Sequence, residues 1–243
     1  MKLVDNVKAL LQASPEAAAV LDLDPFEDFA QLAGSLFTQL CNSKAIGETV
    51  RDVYADNPPL ADMTVYDIFE AARRNFEPGG SPATLLFSRG VQAIMAHRVA
   101  HQLWVDGNTN LALAMKAAFG RVFSTDIHPA AQIGAGLWLD HGLGFVVGET
   151  SVIAEDVSIW HNVTLGSTLN DSGTQRHPHV GTGAVIGAGA ILLGGITIGA
   201  NANIAAGSIV VESIPAKMLV VGSKATIRGP ASVRFTQARE KSQ

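Results

Sequence analysis

Val180-Gly-Thr-Gly-Ala-Val, Ile186-Gly-Ala-Gly-Ala-Ile, Leu192-Leu-Gly-Gly-Ile-Thr, Ile198-Gly-Ala-Asn-Ala-Asn and Ile204-Ala-Ala-Gly-Ser-Ile are five consecutive six-residue units that fill positions 180–209 of this 243-residue chain. Each opens on an aliphatic residue, usually follows it with Gly or another small residue, and places a small or aliphatic residue fifth. A helix repeats near 3.6 residues and a simple strand near 2, so a strict six fits neither. It fits short strands joined by tight turns, with three units making one triangular coil of a parallel β-helix.

Upstream the same beat continues. Ile127, Ile133 and Leu139 open three units, and Val147, Ile153, Ile159 and Leu165 open four more, with two extra residues around Phe145 and Val146. The beat then lapses over residues 167–179, Ser-Thr-Leu-Asn-Asp-Ser-Gly-Thr-Gln-Arg-His-Pro-His. Insertions in repeat proteins go to loops, often on the binding face, so this stretch is expected to form the site. Beyond Pro215 no unit is legible, and residues 216–243 read as a solvated tail with Arg228, Arg234, Arg239 and Lys241.

Residues 1–120 read as helices. Pro15-Glu16 and Asp24-Pro25-Phe26-Glu27 resemble helix starts, Asn57-Pro58-Pro59 is a break, and Met63 to Asn75 resumes the pattern. Glu77 to Pro82 reads as a loop, Leu85 to Trp104 as one long helix, and Leu111 to Phe119 as a last helix ended by Gly120. The expected fold class is α+β: an N-terminal all-α helical domain over 1–120, a parallel β-helix catalytic domain over 121–215, and a tail over 216–243.

Composition agrees with that architecture. Hydrophobic residues are 47%, aromatics only 6%, and there are 24 glycines, a balance that suits a narrow interior of aliphatic side chains. The net charge of −5, with no long basic run, argues against a nucleic-acid partner. The single cysteine, Cys41, excludes an internal disulfide and reads as a buried small hydrophobe. No apolar run reaches the roughly 18 residues that would span a bilayer, and the first residues lack a signal-peptide core. A soluble, cytoplasmic protein without a membrane partner is expected.

All seven histidines lie between His97 and His179. His141 and His161 are each third in their units, three units apart, so coil stacking places them on one side, about 5 Å apart between strands. Asp126 precedes the first unit, its coil-shifted equivalent being residue 144, and the 167–179 loop is expected to return Arg176 and His177 to the same region. An acid, a histidine and a basic loop suit acyl transfer to a hydroxyl. An alcohol needs a base of near-neutral pKa, the base needs a partner to orient it, and a guanidinium offers a planar fork for a carboxylate. Plainer readings stand beside this one. His161 and His179 can be simple turn residues, Asp126 a backbone cap, and Arg176 a surface ion-pair partner. A histidine cluster can bind zinc, as in a zinc hydratase built on such a β-helix, although no cysteine and no familiar ligand spacing accompany it. A non-catalytic scaffold is the remaining option.

Asp126-Ile-His-Pro-Ala-Ala-Gln-Ile-Gly, Leu139-Asp-His-Gly, Val147-Gly-Glu-Thr, Asn162-Val-Thr-Leu-Gly and Arg176-His-Pro together resemble serine O-acetyltransferase, a hexapeptide-repeat enzyme of cysteine biosynthesis. The likeness extends upstream through Gly90 to Trp104 and the Val53 to Pro58 stretch, and covers roughly residues 50–228. It implies a left-handed β-helix, a hand opposite to the usual crossover preference. It also implies trimers or dimers of trimers, the helical 1–120 domain serving oligomerisation and the substrate side, with acetyl-CoA as co-substrate in the groove between neighbouring β-helices and no metal. On the matched motifs His141 would be the general base and Asp126 its orienting acid. Asp140, Arg176 and His177 would hold the amino acid, and Thr168, Ala188 and Ala206 would lie near acetyl-CoA.

The chain departs from that pattern in places. The family usually carries Asp-Pro-Ala between the helices, its acid helping to bind the substrate amino group. An ungapped match puts Asn75 there and a two-residue deletion puts Glu77-Pro78 there, the preferred choice because it keeps an acid-proline pair. An acceptor other than serine, such as another hydroxy-amino acid or a specialised metabolite, is the alternative this motivates. The loop has Gln175 where Asp is common, and Gly222-Ser-Lys-Ala stands where Gly-x-Pro-Ala is common. The chain closes on Glu240-Lys-Ser-Gln243 rather than on the Ile of relatives that dock into cysteine synthase, so that complex is not expected.

Overall fold

Caps and prolines delimit the helices of the computed structural model, which describes residues 2–168 and 174–230. Residues 169–173 of the expected site loop, and the tail with Arg234, Arg239, Lys241 and Gln243, lie outside the described residues. After α1 (Lys2–Ala13), Pro15 opens α2 (Pro15–Leu21). The start expected at Asp24-Pro25 is a loop. Asp28 takes the cap instead, accepting from Gln31 N at 2.8 Å to begin α3 (Phe29–Cys41). Ser43 caps α4 (Lys44–Asp56), and Pro58 starts α5 (Pro58–Asn75) where the break was expected. Cys41 is only half-buried, and that burial pushes its thiol up to about 11.

The long helix expected over Leu85 to Trp104 is two helices, α6 (Gly80–Phe87) and α7 (Arg89–Val105). Ser88 is extended between them, and its hydroxyl accepts from Val91 N, so a cap interrupts an apolar run that periodicity alone joins. The helix α6 also begins inside the stretch read as loop. Gly120 does not end the last helix, α8 (Thr109–Phe123); it lies within it because a Cβ there would come within 2.8 Å of Thr125 O.

The β-helix follows as β1 (Asp126–Ile127), β2 (Gln132–Ile133), β3 (Trp138–Leu139), β4 (Val146–Val147), β5 (Val152–Ile153), β6 (Ser158–Ile159), β7 (Thr164–Gly166), β8 (His179–Val180), β9 (Val185–Ile186), β10 (Ile191–Leu193), β11 (Thr197–Ile198), β12 (Asn203–Ile204), β13 (Ile209–Val210) and β14 (Leu219–Val220). All pair in parallel, in three sheets ordered β1-β4-β7-β10-β13, β2-β5-β8-β11 and β3-β6-β9-β12-β14. The chain thus winds around a triangular prism with three edges. Every unit-opening residue from Ile127 to Val210 is buried, each worth about 1.5–3 kcal/mol of transfer free energy. Glycine second in a unit allows coils to touch, since a Cβ on Gly187 would stand 2.5 Å from Ala206 N.

Two features of the winding differ from expectation. The coil does not stop at Pro215: Lys217 adopts the left-handed conformation (φ 62°) that Gly or Asn adopts in earlier turns, and β14 pairs with β12. Asp126 registers with Val146, not with residue 144. The two extra residues lie in the turn Asp140–Gly144, while Phe145 is fully buried and Val146 is already in β4. A corner can lengthen without cost to the stack, whereas a strand cannot.

The helical layer is fastened to the edge between the second and third sheets. Arg98 of α7 and Asp67 of α5 are both about 3% exposed and pair at 3.1 Å. Arg98 also donates to Ile133 O and Gly134 O, and Asp67 accepts from Gly136 N at 2.6 Å. Burial raises the Asp67 carboxyl above its usual range despite the guanidinium beside it. Among the described residues no helix is long and apolar enough to cross a membrane.

Candidate functional site

The lengthened corner after β3 carries the first group of candidate residues, on the edge between the third and first sheets. His141 (φ 60°), Gly142 (φ 77°) and Gly144 (φ 67°) are all left-handed, which turns the backbone outward and leaves the His141 side chain about two-thirds exposed. The first turn of α7 rests on this corner: a Cβ on Gly90 would fall 1.8 Å from Leu139 O, so only glycine fits. His161, one coil further on, lies beside His141 with ring centroids 5.6 Å apart, as the spacing predicts. The His161 Nδ1 is buried and has no hydrogen-bond partner among the described residues.

A cavity of about 290 Å³ opens over this corner. Asp140, His141 and Leu143 form its floor, and Asn75, Glu77 and Phe87 from the helical layer form its wall. Both candidates for the family's acid therefore reach the cavity, and Asn75 Nδ2 donates to Glu77 Oε2 at 3.3 Å. Their place is secured by Arg74, whose Nη1 donates to Asp156 O and Val157 O and whose Nη2 pairs with Asp156 Oδ1 at 3.1 Å. The carboxylate near His141 in one chain is Asp140, its Oδ2 3.5 Å from Nε2. Asp126 is instead 2.5 Å from Lys116 of α8, exposed on the outer face of β1.

Arg176 and His177 do not join His141 in the same chain. Their loop follows β7 of the first sheet, so it stacks above Gly148–Thr150, which follow β4, on the edge between the first and second sheets. The first sheet, with its connecting residues, separates the two edges by roughly 15 Å at about 3.3 Å per extended residue. Here His177 is buried, and its Nδ1 accepts from Thr150 N at 3.2 Å and lies 2.9 Å from the Thr150 hydroxyl. The same hydroxyl oxygen accepts from Arg176 N and His177 N, and Arg176 Nη2 bonds Glu149 Oε2 at 2.7 Å. A Cβ on Gly148 would stand 1.9 Å from the His177 ring. Gly148, Glu149 and Thr150 are supporting residues that sequence reasoning matched but gave no role; their position one coil below the loop was the available signal.

Of the expected acetyl-CoA contacts, Ala188 and Ala206 lie on the His141 edge, joined by Gly207 N donating to Ala188 O at 2.9 Å. Thr168 lies at the start of the loop on the other edge.

No family model matches the chain. A serine acetyltransferase of Buchnera aphidicola subsp. Acyrthosiphon pisum is 39% identical over 210 residues, 86% of this chain and 77% of that one. The chain belongs to the serine acetyltransferase family. It is an acyltransferase on a left-handed parallel β-helix, the hand its solved relatives share. A Neisseria gonorrhoeae serine acetyltransferase in complex with serine superposes with a TM-score of 0.78 at 35% identity, covering 93% of this chain and 95% of that one. A Brucella abortus serine acetyltransferase in complex with coenzyme A gives 0.82 at 32% identity, covering 96% and 95%.

Proposed function

We infer that this chain transfers the acetyl group of acetyl-CoA to the hydroxyl of L-serine, giving O-acetylserine. The observation that carries the reading is an outward-turned imidazole, His141, in a small cavity with two carboxylates, Asp140 and Glu77. The carboxylates suit an ammonium group, and the imidazole suits the neighbouring hydroxyl. His141 takes the hydroxyl proton as the oxygen attacks the thioester carbonyl. The tetrahedral intermediate collapses, the C–S bond breaks, and the imidazolium returns the proton to the departing thiolate.

The acceptor carboxylate then needs a cationic fork; among the described residues lining the His141 cavity the one guanidinium is that of Arg89, which donates to Val122 O at 3.4 Å. We assign that task to Arg176, supported by His177, supplied from the neighbouring chain of a trimer or of a dimer of trimers. One amino acid spans less than two Cα–Cα steps, about 7.6 Å, so it cannot bridge two edges of one prism. Asp126, facing outward from the sheet between those edges, would then orient the neighbour's His141. Acetyl-CoA would lie along the small-residue edge past Ala188 and Ala206 of one chain and near Thr168 of the next, the same pairing of edges. Gly189 and Gly207 face open space there, where a Cβ would meet nothing within 4 Å.

Initial rates with acetyl-CoA and L-serine, L-homoserine or L-threonine, followed by thiol release, test the assignment. Serine is expected to be preferred, and absence of serine turnover would sink it. His141→Ala should lower kcat by about 10²–10⁴-fold, and Asp126→Asn by less.

A further inference from the structure

We propose that Asp140, His141 and His161 form a site for a first-row divalent transition ion of the Zn²⁺ class, which on binding silences His141. One donor atom from each of the three lies within 4.8 Å of the others. The Asp140 Oδ2 to His141 Nε2 separation is 3.5 Å, close to the roughly 3.4 Å between two donors of a tetrahedral ion with bonds of about 2.1 Å. From at most 4.8 Å, the His161 donor needs to approach by little more than an ångström. The backbone brings the three together through coil stacking, with Asp140 N donating to Ile159 O at 2.8 Å beside the His161 turn. The remaining coordination position faces the open cavity, where water completes the sphere, an arrangement typical of open zinc sites. Two imidazoles and one carboxylate favour Zn²⁺, Co²⁺ or Ni²⁺ over Mg²⁺ and Ca²⁺.

Metal on the His141 nitrogen occupies the lone pair that would accept the acceptor's proton. The ion therefore competes with the amino acid rather than with acetyl-CoA. That inhibitory consequence rests on the function proposed above, whereas the binding site rests on the donor geometry alone. The test is equilibrium dialysis of the full chain against Zn²⁺, with Co²⁺ loading followed by its visible d–d absorption. One ion per chain is expected, undisturbed by excess Mg²⁺. Affinity should weaken at least tenfold in His161→Gln and again in Asp140→Asn, two variants on different coils whose melting curves report folding separately. Zn²⁺ binding that both folded variants retain, or a Co²⁺ spectrum they leave unchanged, would overturn the site. Binding with no inhibition of acetyl transfer would support the site and count against His141 as the base.

Discussion

A mixture of two defective chains, His141→Ala and Arg176→Ala, should recover activity that neither has alone. The two side chains lie on different edges of one prism, separated by the first sheet. In the closed ring of three proposed above, each site would join the His141 edge of one chain to the Arg176 edge of the next. Alone, His141→Ala loses about 10²–10⁴-fold in kcat. Arg176→Ala loses a charge-assisted hydrogen bond of about 1.5–3 kcal/mol, roughly 10- to 100-fold in kcat/KM for serine. Of random trimers at equal mixing about three quarters hold both chains; selection for both tags keeps these alone, and each has one intact junction in three, so about a third of the purified sites regain both groups. Co-expression of differently tagged chains, purification through both tags and thiol-release rates at low serine measure the recovery. Activity no higher than the mean of the two separate variants would refute the division of the site between edges.

Four further outcomes follow from the coordinates. Glu77→Gln should raise KM for serine by about tenfold while kcat changes less, because on the proposed function it removes a charge facing the amino group and not the base; initial-rate kinetics show the split. Gly148→Ala should also raise KM and lower Tm, because the new methyl displaces the buried His177 ring, overpacking that costs about 1–3 kcal/mol; initial rates and melting curves read the two effects. Arg98→Met should destabilise by about 3–5 kcal/mol in urea unfolding, since it leaves the Asp67 carboxylate buried without its partner. Burial holds the His97 imidazole well below its usual range, so the folded state keeps it neutral. The unfolded chain takes up that proton near pH 6.5, so the associated stability is complete above that pH and falls by about 1.4 kcal/mol per unit below it, until the folded group itself titrates. His97→Leu should flatten that acid limb in melts between pH 5 and 7, and an unchanged slope would reject the attribution.

Most of the β-helix was legible because its core positions recur every six residues, and each opener from Ile127 to Val210 is indeed inside. His141 and His161 stack for the same reason. The helical layer was less readable where a single cap decides a boundary. Asp28 and Ser88 each settle an end by one hydrogen bond, and periodicity carries no trace of that. The two extra residues were noticed but placed at Phe145 and Val146, since aliphatic residues look alike until burial shows which enters a strand. The loop was expected to return Arg176 to the region of His141, and within one chain it does not. Position along a coil follows from counting, and a count through β3 and β7 separates them; which edge a second chain covers does not. The supports Glu149 and Thr150 stayed unassigned because their partners arrive from a loop 26 or 27 residues later.

On the function proposed above, the three edges of the prism have separate duties: one anchors helices, one would present a base, one would present a guanidinium. A solitary subunit so divided would be an unfinished tool, folded yet unable to grip both ends of its acceptor. Specific activity would then become a readout of self-assembly, falling on dilution once the ring comes apart even while every subunit keeps its shape.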